Sequence, residues 1–215
     1  MIGPVTVSQK MSYYGSNDRQ GNDKNAEKMI QEACQLAKSE HNVDFTQYDN
    51  DNDDYVDFVY VFYAGYGEAD GGAENTIWPH AYYLTAANVS CIIDGKQVDS
   101  YACSNELDYY SKEHSGIGTF CHEFSHVLGL PDLYITSDVR TTHKTLGEWD
   151  IMDYGPYNND GNTPPNYSGY ERFFMGWATP RVLTDGEEVT LHDLTSSNEV
   201  LLISETDEHN LIGND

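Results

Sequence analysis

The chain has few positive charges and no long apolar run. Its 215 residues include 11 lysines and arginines against 36 aspartates and glutamates, which gives a formal net charge of -25. Such a surface repels phosphate groups and speaks against nucleic acids and anionic membranes as partners. No apolar stretch approaches the roughly 20 residues of a transmembrane helix. The length suits a single domain with a substantial core.

Cysteine is also scarce, with four residues in the chain. Cys34 and Cys121 fall on apolar helix faces, which favours small buried side chains. Cys91 and Cys103 flank a predicted hairpin around the turn residues Asp94-Gly95. Two alternatives stay open for this second pair: a disulfide in an exported protein, or cross-strand neighbours without a bond.

What the chain does contain is a His-Glu-Phe-Ser-His segment at residues 122–126. Residues four apart lie on one face of a helix, so His122 and His126 can direct two imidazoles at one metal ion. Glu123 lies beside the first histidine, where a carboxylate can hold a metal-bound water. The flanking residues are apolar at helical spacing and predict a buried helix over about residues 116–128.

The residues after this helix offer a third ligand. Gly129 can adopt the left-handed conformation that ends a helix, and Pro131 does not easily continue one. The resulting turn can bring Asp132 back toward the histidines. Two imidazoles, a carboxylate and an open position are typical of a catalytic zinc site. Two alternatives stay open: His143 could replace Asp132 as a ligand, or the two histidines could simply pack or be solvated on an amphipathic helix.

Together with a downstream turn that ends in Met-x-Tyr-Gly, these residues resemble the metzincin class of metallopeptidases. Within that class the chain is most similar to the immune-inhibitor-A-like (M6) family, from about Tyr14 to Pro180. Five segments carry the resemblance: the zinc motif (122–134), the Met turn (149–152), a Gly-Trp pair (176–177), the Asp-rich segment (48–59) and an Ile-Trp-Pro-His run (77–80).

The resemblance implies roles for individual residues. It implies three zinc ligands: His122, His126 and Asp132. Glu123 would act as general base and then as general acid, and Met152 would pack beneath the metal as a structural floor. Tyr154 either helps to stabilise the oxyanion, as a tyrosine at this place does in several metzincins, or packs in the turn with a satisfied hydroxyl.

The predicted function is that of a zinc-dependent endopeptidase. Zinc would lower the pKa of its bound water and polarise the scissile carbonyl. Glu123 would take the proton of this water and pass it to the leaving amine, while zinc and the Tyr154 hydroxyl hold the oxyanion. The chain is expected to be a monomer, and its expected partners are protein or peptide substrates. The family resemblance and the predicted calcium loop imply a secreted or cell-surface location.

Two other functions stay open at this point. A catalytically silent relative could keep the fold as a binding module, although structure alone does not require the carboxylate of Glu123. A calcium-dependent module that binds carbohydrates or surfaces is favoured by the Asp-rich loop and by the many tyrosines. His80, next to Pro79, either has a structural or solvated role or lines the cleft.

A second metal site is predicted in the Asp-rich loop. Its candidate calcium ligands alternate along the chain: Asp49, Asp51, Asp53, Tyr55 through its carbonyl, and Asp57. This spacing is typical of the start of a calcium loop. Asp54 replaces the expected glycine and Tyr60 the expected glutamate, so the segment is not an EF-hand. So many carboxylates repel one another without a cation, which favours structural Ca²⁺ over a solvated acidic turn.

The predicted fold class is α+β. It is a metzincin-like zincin catalytic domain with a twisted mixed sheet, a backing helix and an active-site helix, followed by the start of a β-rich segment. We expect the catalytic domain over residues 1–180 and the beginning of a C-terminal β-rich domain over residues 181–215. The catalytic domain is expected to be incomplete at its N-terminus, because catalytic domains of the family have more residues before this point.

Hydrophobic periodicity gives the main elements. The backing helix is predicted over residues 26–41, with Asn25 as N-cap. A continuous apolar strand over residues 55–63 is expected at the centre of the sheet, covered on both faces. The remaining predicted elements are strands over residues 90–93 and 97–104, and a helix capped by Ser168 over residues 167–177.

Overall fold

The computed structural model of the chain describes residues 1–136 and 144–203. The chain divides into two compact units, Met1–Pro164 and Pro165–Asp215. The architecture is mixed α+β, with a small mixed sheet and few helices, in agreement with the predicted class. The domain boundary predicted after residue 180 lies within the second unit and stays a prediction. Among the described helices, none is both long and apolar enough to cross a bilayer.

In the part of the first unit that the structure describes there are three α-helices and five strands. In chain order these are α1 (Met11–Gly15), α2 (Ala26–His41), β1 (Val59–Tyr66), β2 (His80–Tyr83), β3 (Cys91–Ile93), β4 (Lys96–Val98), β5 (Ser100–Leu107) and α3 (Gly118–Leu128). Short 3₁₀ helices lie at Phe45–Tyr48, Gly147–Trp149 and Gly155–Tyr157.

Helix α2 has the predicted bounds and the predicted buried face. Its buried residues recur at helical spacing and include Met29, Ile30 and Ala37, so their burial against the sheet stabilises the helix. Asn25 occupies the N-cap position, but its side chain makes no capping bond. Instead its amide donates to the carbonyl of Tyr13. Asn25 is therefore the N-cap residue, as predicted, but it lacks the side-chain capping bond, because its Oδ1 accepts from Nζ of Lys28 instead.

The main sheet has the strand order β1-β5-β2, with β1 parallel and β2 antiparallel to β5. The prediction that the apolar strand lies at the centre is wrong within the described residues, since β5 is central and β1 pairs only with β5. Strand β1 also begins later than predicted, at Val59. Its continuous apolar run reflects packing on both faces of an edge strand rather than a central position.

Side chains alternate between two layers on either side of this sheet. Tyr63 on β1 and Tyr101 and Cys103 on β5 face the apolar core that includes the buried face of α2. Tyr60 on β1 faces the opposite layer, where its ring lies 4.7 Å from that of Phe120 on α3. The sheet therefore separates the backing helix from the helix that carries the histidines.

Strands β3 and β4 form the predicted hairpin. Asp94 and Gly95 have φ values of 54° and 82°, and two such residues form the turn that matches the twist of a hairpin. The strand predicted over residues 97–104 is split at Asp99. The side chain and carbonyl of Asp99 accept hydrogen bonds from the main-chain amides of Thr85 and Leu84, and these bonds redirect the chain between β4 and β5.

All four cysteines are free thiols. Cys91 pairs across the hairpin with Val98, whereas Cys103 lies on β5 between Val61 and His80. The alternative of a Cys91–Cys103 disulfide is thus wrong for this structure, because the turn at Asp99 places Cys103 in another sheet.

The second unit contains α4 (Gly169–Phe174), β6 (Arg181–Val182) and β7 (Leu201–Leu202). Ser168 caps α4 as predicted: its hydroxyl accepts from the amide of Glu171, whose carboxylate accepts from the amide of Ser168. The helix is shorter than the predicted span because Gly176, with φ of 71°, follows its end. The two short strands pair in parallel.

Candidate metal centre

Helix α3 and the turn after it bring three potential ligands together. Gly129 has a φ of 105°, and its amide donates to the carbonyl of His126, which ends the helix. The reversed chain then returns Asp132 to the helix face that carries His122 and His126. Oδ1 of Asp132 lies 3.3 Å from Nε2 of His122 and 3.2 Å from Nε2 of His126.

Two main-chain carbonyls fix the tautomers of both histidines. Nδ1 of His122 lies 2.8 Å from the carbonyl oxygen of Ile151, and Nδ1 of His126 lies 2.8 Å from that of Leu130. A carbonyl can only accept, so each Nδ1 carries the proton. In the neutral imidazoles both Nε2 atoms therefore present lone pairs. This outer-shell arrangement is the usual one for histidines that bind a metal.

The donor set fits a metal ion. Oδ1 of Asp132 is shielded from solvent and has no hydrogen-bond partner among the described residues when the histidines are neutral. Three facing lone pairs repel one another unless a positive charge lies among them. A bound cation or protons on the two imidazoles can supply that charge.

Without a cation, the arrangement favours protons on the two imidazoles. Burial opposes charge on each group, but the hydrogen bonds between Asp132 and the two imidazoles outweigh it. The pKa of Asp132 is consequently lowered, and the pKa values of His122 and His126 are raised. A metal ion must displace these protons to bind.

Glu123 lies in the same helix and is 6% exposed. Burial raises the pKa of its carboxyl, while the charges of the neighbouring histidines His122 and His126 oppose the rise. A buried carboxylate with a raised pKa beside a metal centre is suited to proton transfer near neutral pH.

The turn containing Met152 is joined to both parts of the centre by main-chain hydrogen bonds. The carbonyl of Ile151 orients His122, and the amide of Leu133 donates a hydrogen bond of 2.8 Å to the carbonyl of Met152. Met152 itself is fully buried. These bonds link the turn to α3 and to the segment after it, and the role of Met152 as a floor beneath a metal stays a prediction.

Two tyrosines border the centre. The ring of Tyr134 lies 6.4 Å from that of His122 and 6.4 Å from that of Tyr154. Tyr154 is 58% exposed, so its hydroxyl is not part of a packed core. Tyr134 was not given a role by the sequence reasoning, although its place two residues after Asp132 is a local signal.

His80 has a structural setting. Its Nδ1 lies 2.7 Å from the carbonyl of Trp78, so this nitrogen carries a proton, and its Nε2 lies 2.8 Å from the Tyr101 hydroxyl. These bonds hold β2 against β5 and favour the structural alternative. His143 lies outside the described residues.

The Asp-rich loop brings together only some of its predicted ligands. Carboxylate oxygens of Asp49, Asp51 and Asp57 lie within 4.8 Å of one another. Asp53 lies outside that group, and its carboxylate accepts from the amide of Tyr55. A basic residue that the sequence reasoning missed, Lys96 on β4, contacts Asp49 at 2.7 Å.

Comparisons with known proteins identify the family of the chain. Residues 1–178 match the family described as immune inhibitor A peptidase M6, catalytic domain. The pre-pro-metalloprotease PrtV of Vibrio cholerae is 25% identical over 231 residues, which covers 95% of this chain and 24% of PrtV. Immune inhibitor A of Bacillus thuringiensis subsp. alesti is 26% identical over 197 residues, which covers 80% of this chain and 28% of that protein.

The family match assigns the chain to the metallopeptidase class, the peptide-bond hydrolases that work with a metal ion, and the His-His-Asp group is its candidate metal site. More particularly, the chain belongs to the immune inhibitor A (M6) peptidase family, whose catalytic domain its first 178 residues match. It spans about a quarter of the length of the curated relatives that it matches.

Proposed function

We propose that this chain is a zinc-dependent endopeptidase domain that hydrolyses peptide bonds in protein substrates. The observation that carries the proposal is the separation of Asp132 Oδ1 from the two Nε2 atoms, 3.3 and 3.2 Å. Ligand atoms about 2.0–2.1 Å from a tetrahedral zinc ion lie about 3.3 Å apart. The two separations from Asp132 thus suit the predicted ion.

The chain's own residues have distinct tasks. His122, His126 and Asp132 would hold the zinc ion, which when bound supplies Lewis acidity for a coordinated water and the scissile carbonyl. Glu123 would accept a proton from the attacking water and deliver it to the leaving amine. Its burial supports this role, because a raised pKa lets the carboxyl both take and release a proton.

The hydroxyl of Tyr154 is proposed to donate a hydrogen bond to the developing oxyanion. Its exposure at the border of the centre supports this more than a packing role. Met152 is proposed as the structural floor of the centre, since its turn is hydrogen-bonded to the His122 ring and to Leu133.

The test is hydrolysis of casein and of quenched fluorescent peptides by the zinc-loaded chain. Glu123→Gln should retain about one zinc per chain and lose about 10²–10⁴-fold in rate. Glu40→Gln, at an exposed position on α2, is the matched control and should keep full activity. Equal rates for wild type and Glu123→Gln would overturn the proposal and favour a catalytically silent relative.

We also propose a structural Ca²⁺ ion in the Asp-rich loop, held by Asp49, Asp51 and Asp57 with further oxygens from the main chain or water. The convergence of these carboxylates supports it. Calcium should raise the melting temperature of the wild type more than that of Asp51→Asn. Asp53→Asn is the control, because an amide oxygen can still accept from Tyr55. No calcium-dependent shift in the wild type would refute this site.

Export from the cell is proposed as well. Membership of the family, the predicted calcium loop and the "pre-pro" in the name of PrtV support it. Fractionation of the organism that makes the protein, with an antibody against this chain, should detect it in the medium or on the cell surface. Detection only in the cytosol would refute export.

A further inference from the structure

Cys34 and Cys91 form a pair of buried thiols that neither the metal centre nor the Asp-rich loop uses. Cys34, on α2, is 3% exposed, and Cys91, at the start of β3, is 1% exposed. Their side chains interact directly, and this interaction shifts the pKa of both thiols. Both belong to the same apolar core, so no polar surface separates them.

Two polar contacts fix α2 against β3 on either side of this pair. Nε2 of Gln31 donates to the carbonyl of Ser90 at 2.7 Å, and Nζ of Lys38 lies 2.7 Å from Oδ2 of Asp94. Residues 31, 34 and 38 share one helix face. The helix and the strand are therefore held in the register that directs the Cys34 side chain at Cys91.

We propose that Cys34 and Cys91 form a disulfide bond that links the backing helix to the β3–β4 hairpin. The inference rests on the export put forward under the proposed function, because disulfides persist in oxidising compartments. The two thiols lose two protons and two electrons as the Sγ–Sγ bond forms. The oxidant is another disulfide, such as oxidised glutathione, which is reduced to two thiols.

The thiol of Cys91 is suited to this thiol–disulfide exchange. The interaction with Cys34 lowers the pKa of Cys91, although burial acts in the opposite direction. The thiolate of Cys91 would attack the oxidant and displace one thiol, and Cys34 would then attack the mixed disulfide and displace the second.

The bond would stabilise the part of the fold that carries the Asp-rich loop. It would close the chain from residue 34 to residue 91, a segment that includes this loop and β1. The hairpin already holds the loop, because the amide of Gln97 donates to the carbonyl of Asp54 and its carbonyl accepts from the amide of Val56. By restricting the unfolded chain, the bond should raise the melting temperature by about 10 °C.

Peptide mapping tests the bond directly. The 215-residue chain carrying Glu123→Gln, which prevents self-digestion, is refolded with reduced and oxidised glutathione, blocked with iodoacetamide while denatured, and digested with trypsin. Each cysteine falls in its own peptide, at residues 29–38, 39–96, 97–112 and 113–140. We expect peptides 29–38 and 39–96 to be linked unless a reductant is added. Four alkylated cysteines, or any other link, would overturn the proposal.

Thermal unfolding gives a second measurement. The oxidised protein should melt about 10 °C above the reduced one, and the difference should vanish in Cys34→Ala. Cys103→Ala, which also replaces a fully buried cysteine, should keep the difference. The same difference in Cys34→Ala as in wild type would contradict the bond. If Cys34→Ala does not fold, the peptide map of the parent chain still decides.

These readouts need neither zinc nor substrate, so they are independent of the peptidase activity. A 34–91 link in the Glu123→Gln chain, together with no peptide cleavage by the zinc-loaded wild-type chain, would uphold the disulfide and refute the proposed function. An active enzyme without that link would uphold the proposed function and refute the disulfide.

Discussion

Nδ1 of His122 donates a 2.8 Å hydrogen bond to the main-chain carbonyl of Ile151, the residue before Met152. The bond joins the helix that carries two proposed ligands to the turn beneath them. Because it comes from the main chain, it depends on how closely α3 approaches the segment around this turn. The packing of α3 therefore controls the orientation of a ligand.

Gly118→Ala should weaken both folding and metal binding. A Cβ atom at Gly118 would lie 1.8 Å from the carbonyl oxygen of Pro156, so the start of α3 must move away from this segment. We expect a loss of about 1–3 kcal/mol in the free energy of unfolding, measured with urea in EDTA. Zinc affinity, measured by competition with a chelating dye, should fall as well.

Gly21→Ala is the control for this change. Gly21 has a φ of 87° but no atom within 4 Å of the added Cβ, so only backbone strain of about 1 kcal/mol is expected there. Its zinc affinity should equal that of the wild type. If Gly118→Ala bound zinc as tightly as Gly21→Ala, the supporting role of this packing would be refuted.

Zinc affinity should increase with pH. Both histidine pKa values are raised in the metal-free protein, since the bonds to Asp132 outweigh the effect of burial. Below these pKa values protons occupy the Nε2 atoms that zinc requires, so each proton lost favours binding. We expect affinity to rise by at least about 10-fold between pH 6 and pH 8. An affinity that is flat over this range would show that the imidazoles are already unprotonated.

Asp132→Asn tests both proposed roles of the Asp132 carboxylate, which are to stabilise protonated imidazoles and to bind zinc. An amide cannot stabilise charged imidazoles, so the pKa values of His122 and His126 should fall and the pH dependence should shift to lower pH. Loss of a charged ligand should also reduce zinc affinity by more than the ~10–100-fold typical of an outer-shell change. Isothermal titration with zinc at several pH values measures both effects. Wild-type affinity in this variant would remove Asp132 from the proposed ligand set.

The parts of this site that could be predicted are the local ones. Helical spacing places His122 and His126 on one face, and Gly129 determines where the chain turns toward Asp132. These relationships span only a few residues and depend on backbone geometry. The bounds of α2 were predictable for the same reason, since its apolar residues recur at a helical period over four turns.

The parts that could not be predicted depend on contacts between distant segments. The hydrophobic pattern indicated packing on both faces of β1, where Phe62 is in fact 53% exposed, and it could not show that β5 is the central strand. Nothing near Lys96 indicates that its ammonium contacts Asp49. The Cys34–Cys91 contact likewise requires the register of α2 on β3, which the sequence does not encode locally.

Asp23 should make stability depend on pH in the opposite direction to most carboxylates. Burial raises its pKa to about 6, although the amide of Trp78 donates to Oδ2. Its Oδ1 is shielded from solvent without a hydrogen-bond partner among the described residues. Between the unfolded and folded pKa values the folded state binds more protons, so stability falls as pH rises from about 4 to about 6. Asp23→Asn should remove this loss.

Urea unfolding of wild type and Asp23→Asn at pH 4 and pH 7 measures the effect. The contributions of the other carboxylates cancel in the difference between the two free energies of unfolding. The variant should gain about 1 kcal/mol relative to wild type on going from pH 4 to pH 7, a value reduced for the partial exposure of Asp23. The amide oxygen of the variant can still accept from Trp78, so this contact is kept. A stability difference that is the same at both pH values would show that Asp23 ionises in the folded protein as it does in the unfolded chain.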